Sequence, residues 1–206
     1  MIVIGLVGRI GAGKSSVARL FADRGAEVLD ADALAHQALD DPAVREEVVA
    51  HFGGPVLAAA GRVSRPALAE RVFGPTAAHA AALARLEAIV HPWVRRRIAA
   101  RLEAVREAEA ADGRRRVVVL DVPLLVQSGW DAACDRLVTV ECAEPVRQAR
   151  LAERGWSAEQ VAARDRAWER AAAAPRGGKS SAVDASGDLA YTREQVDRFW
   201  ESLPAG

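Results

Sequence analysis

The sequence predicts an α/β fold with a central, mainly parallel sheet flanked by helices, and three observations carry that prediction. Short β-branched runs occur at Ile2 to Val7, Val117 to Leu120 and Leu137 to Val140, with a weaker one at Ala26 to Leu29. Each run is continuously apolar rather than alternating, as expected of strands covered on both faces. Long stretches of helical pattern separate the runs, and strands alternating with helices give a parallel sheet.

Taken in order, the first run leads to a helix predicted over Ser16 to Arg24 and ended by Gly25. A second helix is predicted over Pro42 to Phe52, closed by Gly53-Gly54, and Ser64 followed by Pro66, Leu68, Val72 and Phe73 reads as a capped helix start. From Ala77 to Ala111 the chain is alanine-rich and helical, and Pro92, after His91, is expected to split it into two helices, because proline lacks the N–H and crowds the preceding turn. Val117 to Val126 is interrupted by Asp121 and Pro123 and reads as a buried strand with its exit loop. Ser157-Ala158-Glu159-Gln160 and Thr192-Arg193-Glu194-Gln195 have capping-box spacing and predict two further helix starts, while Pro175 to Gly187 reads as loop. No internal repeat is present, and the abundant alanine is a general compositional bias.

At 206 residues the chain suits one domain carrying inserted helices. Lys plus Arg and Asp plus Glu both total 28, so the molecule has no net field to attract nucleic acid or an anionic membrane, and neither is expected as a partner. Cys134 and Cys142 follow no metal-ligand spacing and make no disulfide framework, which favours a reducing compartment. Met1 leads straight into the first apolar run with no charged leader region, and no apolar run approaches a bilayer's thickness. The expectation is a soluble, cytoplasmic protein, a monomer or small homo-oligomer.

Gly8-Arg9-Ile10-Gly11-Ala12-Gly13-Lys14-Ser15 matches G-x-x-x-x-G-K-[ST], directly after the first strand and before the first helix, the context that pattern requires. Glycines let the backbone wrap closely around phosphates with N–H groups inward, and the helix N-terminus adds partial positive charge. Gly8, Gly11, Ala12, Gly13, Lys14, Ser15 and Ser16 are therefore the expected ATP-binding residues, with Lys14 reaching the β- and γ-phosphates and Ser15 offering its hydroxyl to Mg²⁺. The chain uses arginine 26 times and lysine twice, yet lysine stands where a compact ammonium is needed. The other lysine, in Gly177-Gly178-Lys179-Ser180, has alanine at 173 and no preceding strand, so that segment reads as a mobile loop.

The second strand runs out into Asp30-Ala31-Asp32, and acids there can bind Mg²⁺, take a proton from an attacking hydroxyl, or cap the helix beginning near Ala33. Arg147, Arg150 and Arg154 are spaced to share one helix face, either as cations that follow migrating phosphate charge or as a solvated basic surface. His91, at the proline, either touches a substrate or satisfies a backbone group.

Ile4 to Ser15, Asp30-Ala31-Asp32, His91-Pro92, Leu120-Asp121-Val122-Pro123-Leu124-Leu125 and Ser128-Gly129-Trp130 together resemble the dephospho-CoA kinase family in order and spacing, over essentially the whole chain. The resemblance implies a P-loop kinase fold with a core of about 1–54 and 113–206, a helical acceptor-binding insertion of about 55–112 and a lid of about 147–182. It implies transfer of the ATP γ-phosphate to the 3′-hydroxyl of dephospho-CoA, with Asp32 as catalytic base and Lys14 and Arg150 as catalytic cations. Arg154 would help hold ATP, Asp30, His91 and Asp121 would lie on the substrate side, and Ser15 and Asp121 would hold Mg²⁺. The chain departs from the family at Gln127 (usually glutamate), Trp168 (glutamine), the alanines at 171 to 174, and Asp184-Ala185-Ser186-Gly187 in place of an Asn-x-Gly turn. Two alternatives stand beside this reading: a P-loop kinase for another nucleoside or nucleotide, and a kinase-derived ATP-binding protein without transfer activity. No Asn-Lys-x-Asp guanine-reading element is present.

Overall fold

Strands β1 (Ile2–Val7), β2 (Glu27–Asp30), β3 (Val117–Asp121), β4 (Arg136–Glu141) and β5 (Ser180–Asp184) pair into one sheet of order β2-β3-β1-β4-β5, and every pairing is parallel. The computed structural model describes residues 1–58, 61–171 and 180–204. Val3, Ile4 and Leu6 on β1, and Val118, Val119 and Leu120 on β3, are buried, which accounts for the continuous apolar runs of these two of the three inner strands. β5 corrects the expected loop over Pro175 to Gly187. Its sequence Ser-Ser-Ala-Val-Asp buries only Val183, because an edge strand needs one neighbour and backbone hydrogen bonds rather than an apolar pattern. Gly177-Gly178-Lys179, the expected mobile loop, lies outside the described residues.

Helix α1 (Lys14–Asp23) buries Val17, Ala18, Leu20 and Phe21, an i, i+3, i+4 stripe facing the sheet. Phe21 meets Phe199 of α8 (Leu189–Ser202) edge to face at 5.7 Å, and complete burial of such a side chain contributes about 1.5–3 kcal/mol. α1 begins two residues before the expected Ser16, because the loop's last glycine is itself the N-cap. α6 (Glu144–Glu153) and α7 (Ala158–Ala171) follow β4. α7 has the expected capping box: the Gln160 amide donates to Ser157 Oγ and the Ser157 amide to Gln160 Oε1. The second expected box is corrected, since Thr192 lies inside α8 and Asp188 is the N-cap, accepting from the Tyr191 amide. Gln195 instead clasps the end of β5, accepting from the Asp184 amide and donating to the Asp184 carbonyl.

Two compact units divide the chain, residues 1–30 with 105–206, and residues 31–104. The second unit holds α2 (Ala31–Ala38), α3 (Pro42–Phe52), α4 (Arg65–Val72) and most of α5 (Ala77–Asp112). α3 has its expected bounds, with Asp41 as N-cap, held well below the usual carboxylate range by the Trp93 indole and the Val44 amide. Ser64 caps α4 as expected. Pro92 does not split α5, which runs 36 residues with the proline inside it. Ile89, Val90, Val94 and Ile98 are buried on both sides of Pro92, and the alanine-rich flanks favour helix strongly, so packing and propensity outweigh one lost hydrogen bond. No helix among the described residues is long and apolar enough to cross a membrane.

Candidate active site

The phosphate loop is held by its own carbonyls. Lys14 Nζ donates to the Gly8 carbonyl at 2.9 Å, the Ala12 amide to the Arg9 carbonyl at 3.2 Å, and Arg147 Nη1 to the Ile10 carbonyl at 3.1 Å. Gly13 caps α1 at φ 108° and Gly11 sits at φ 78°, a left-handed region that penalises side chains. Gly11 also lacks room: a Cβ there would come within 2.8 Å of Leu151 and 3.2 Å of Arg147. The loop is thus pressed against α6, and it runs through Gly13 directly into the N-terminus of α1, the end of a helix that favours anions.

Strand pairing brings two predicted acids together. Asp30 and Asp121 are register partners at the carboxyl ends of β2 and β3, and β3 lies beside β1, which feeds the loop. A carboxylate and a hydroxyl are hard oxygen donors of the kind Mg²⁺ accepts, and that ion takes one or two protein ligands plus phosphate and water. Among the described residues, no cluster of three or more His, Cys, Asp and Glu side chains could hold a metal ion. Asp32 falls in the first turn of α2, inside the second unit and two residues beyond Asp30.

A cavity of about 230 Å³ opens beside the loop, lined by Gly13 and Ser16, by Arg150 and Arg154, and by Ala185 and Leu189 among others. The sequence names the first four but not the α8 end, whose start it places too late. The missed signal is Asp188, an N-cap without the Glu or Gln of a capping box. Arg150 Nη2 donates to the Ala185 carbonyl at 2.8 Å, tying the cation to the turn after β5. Asp184 is held below its ordinary range by the Ser186 hydroxyl and amide. Arg147, expected on the same face as Arg150 and Arg154, is instead fully buried and meets Glu144 and Asp165. That pairing, with help from Gln148, pulls the Glu144 carboxyl down to about 2.

The helical unit has a cavity of its own, about 360 Å³ and mainly apolar, lined by Leu39, Leu68, Val72 and Phe73 and by the polar groups Asp32, His36, Arg65 and His91. Asp32 and His91, 59 residues apart in sequence, therefore share one cavity. Phe73 is 59% exposed there, unusual for a large apolar side chain. Trp168 lies on α7, Gln127 lies in the loop after β3, and 172–174 fall outside the described residues.

A parallel sheet whose first strand enters Gly-x-x-x-x-Gly-Lys-Ser, with an acid pair at neighbouring strand ends, defines a P-loop kinase. A family model described as dephospho-CoA kinase matches residues 2–176. A dephospho-CoA kinase of Methylococcus capsulatus is 44% identical over 166 residues, 79% of this chain and 77% of that one. One from Thermobifida fusca is 40% identical over 210 residues, 98% of this chain and 96% of that one. The crystal structure of TT1252 from Thermus thermophilus, 32% identical, superposes with a TM-score of 0.71 over 99% of this chain and 98% of that one. The dephospho-CoA kinase from Campylobacter jejuni, 18% identical, shares the fold at a TM-score of 0.67 over 99% and 98% of the two chains. The chain belongs to the dephospho-CoA kinase family, and is an ATP-dependent phosphotransferase.

Proposed function

We propose that the protein transfers the γ-phosphate of ATP to the 3′-hydroxyl of dephospho-CoA, the last step of coenzyme A biosynthesis. The observation that carries this reading is the phosphate loop in its strand-to-helix setting, with Lys14 resting on the Gly8 carbonyl, in a chain of this family. Loop amides and the α1 N-terminus grip the triphosphate, and Lys14 leaves Gly8 for the β- and γ-oxygens. Ser15 and Asp121 would hold Mg²⁺, which would offset phosphate charge. Arg150 and Arg154 face the same cavity as Gly13, and their cations follow charge as it moves toward the leaving ADP.

The acceptor oxygen forms a bond to the γ-phosphorus as the bond from that phosphorus to the bridging oxygen breaks, ADP departs, and the hydroxyl proton passes to Asp32. The helical unit's cavity supports this assignment, since it joins the Asp32 carboxylate to an apolar wall and to His36, Arg65 and His91. An acceptor with an anionic nucleotide end and an apolar arm suits such a lining. Asp30 lies beside Asp121 and orders the metal's surroundings. We assign the insertion of about 55–112, with α2, to the acceptor, and the segment of about 147–182 to a lid; its residues 172–179 lie outside those described. We assign the reaction to the cytoplasm, where ATP is available.

A panel of dephospho-CoA, nucleosides and nucleotides with Mg-ATP tests the substrate. Phosphorylated product from dephospho-CoA is expected. Turnover of a nucleoside with none of dephospho-CoA would reject the assignment.

A further inference from the structure

Arg147 is the bulkiest fully buried side chain among the described residues, at 1% exposure. Burying a guanidinium is costly unless every donor finds an acceptor, and three groups supply them. Glu144 accepts at 2.6 and 2.9 Å, Asp165 on α7 at 2.8 and 3.2 Å, and the third acceptor is the Ile10 carbonyl in the middle of the phosphate loop. Arg9, the loop's own guanidinium, is turned onto the same two acids, reaching Asp165 at 2.6 Å and Glu144 at 3.2 Å. Two cations and two anions thus balance behind the loop.

The bond to Ile10 has a consequence for the next amide. The peptide bonds here contain no cis linkage, and in a trans peptide the carbonyl and the following N–H point in opposite directions. Leu151 and Arg147 of α6 back the loop at Gly11, where a Cβ would come within 2.8 and 3.2 Å of them, and Arg147 is buried away from the open cavity. A carbonyl drawn outward by Arg147 therefore turns the Gly11 N–H inward, toward the concavity where phosphate oxygens sit. A flipped peptide would present an oxygen to the triphosphate instead.

We propose that Arg147 is a positioning residue for phosphate binding: by holding the Ile10 carbonyl outward it keeps the Gly11 amide aimed at the triphosphate, while Asp165 and Glu144 neutralise its buried charge. The inference rests on the phosphate loop being the ATP site. It separates Arg147 from Arg150 and Arg154, which face the cavity and meet ligand directly. Asp165 stabilises the network without touching the loop's backbone.

Titration with inorganic tripolyphosphate and with Mg-ATP, alongside Tm, tests this. Arg147→Met is expected to weaken binding of both probes by about tenfold, the worth of one hydrogen bond to a charged group, whereas Asp165→Asn lowers Tm but leaves both affinities within about twofold. Wild-type affinity in Arg147→Met, or an equal loss in Asp165→Asn, would overturn the proposal. Should Arg147→Met not fold, Arg147→Lys, which keeps the charge but loses the fork, is read the same way. Failure of the unaltered protein to bind either probe would instead strike at the ATP site itself.

Discussion

Lys14 Nζ donates to the Gly8 carbonyl, a contact within the loop that a phosphate oxygen would replace. Lys14→Ala is therefore expected to cut transfer by at least ~10²-fold with Tm and circular dichroism unchanged. Asp32 lies in the helical unit's cavity rather than in the loop, so Asp32→Asn should lower kcat by about 10²-fold or more while Mg-ATP affinity holds, as read by separate turnover and binding measurements. Unchanged turnover would remove Asp32 as base. Glu144 makes a pH-dependent contribution. Its pKa falls from 4.5 to about 2 chiefly through Arg147, so its stabilisation is complete above about pH 4.5 and is lost as pH drops through about 2. The Tm gap between the natural protein and Glu144→Gln should be widest near neutral pH and close toward pH 2. Because half of the Glu144 side chain is exposed, solvent screens the pair and the gap should be modest.

At the scale of the element, α5 tolerates a proline that propensity alone says should end it. Pro92 is exposed and its helix is continuous, so Pro92→Ala should restore a hydrogen bond and raise stability by about 1–2 kcal/mol, after allowing for the freer unfolded chain. A denaturant midpoint that falls would show that the proline is required by the packing. The contrast with the strands is instructive. β1, β3 and β4 were legible because burial on both faces writes a continuous apolar run into the residues, and the loop was legible because all eight of its residues are local. β5 was not, since its pairing lives in backbone groups and in the Gln195 amide, which no side-chain period records. The start of α8 was hidden for a related reason: Asp188 caps alone, and a false box at Thr192 outranked it. Arg147 looked like a surface cation by helical spacing, and only the fold reveals Asp165, 18 residues on, as the partner that buries it.

At the scale of the whole molecule, nucleotide and acceptor are assigned to cavities in different units. The sheet unit gathers Gly13, Arg150 and Ala185 at one cavity from three distant parts of the chain, and the helical unit gathers Asp32, Arg65 and His91 at another. Neither convergence can be read from spacing, though most of the residues that define the two cavities' chemistry can be picked out by type. If one cavity serves the nucleotide and the other the acceptor, ATP consumption must depend on both ligands. A coupled assay of ADP release, run with and without dephospho-CoA, measures that dependence directly. Rapid release is expected only when dephospho-CoA, ATP and Mg²⁺ are all present; release that is absent with all three, or that proceeds equally without dephospho-CoA, would rule out this division of labour.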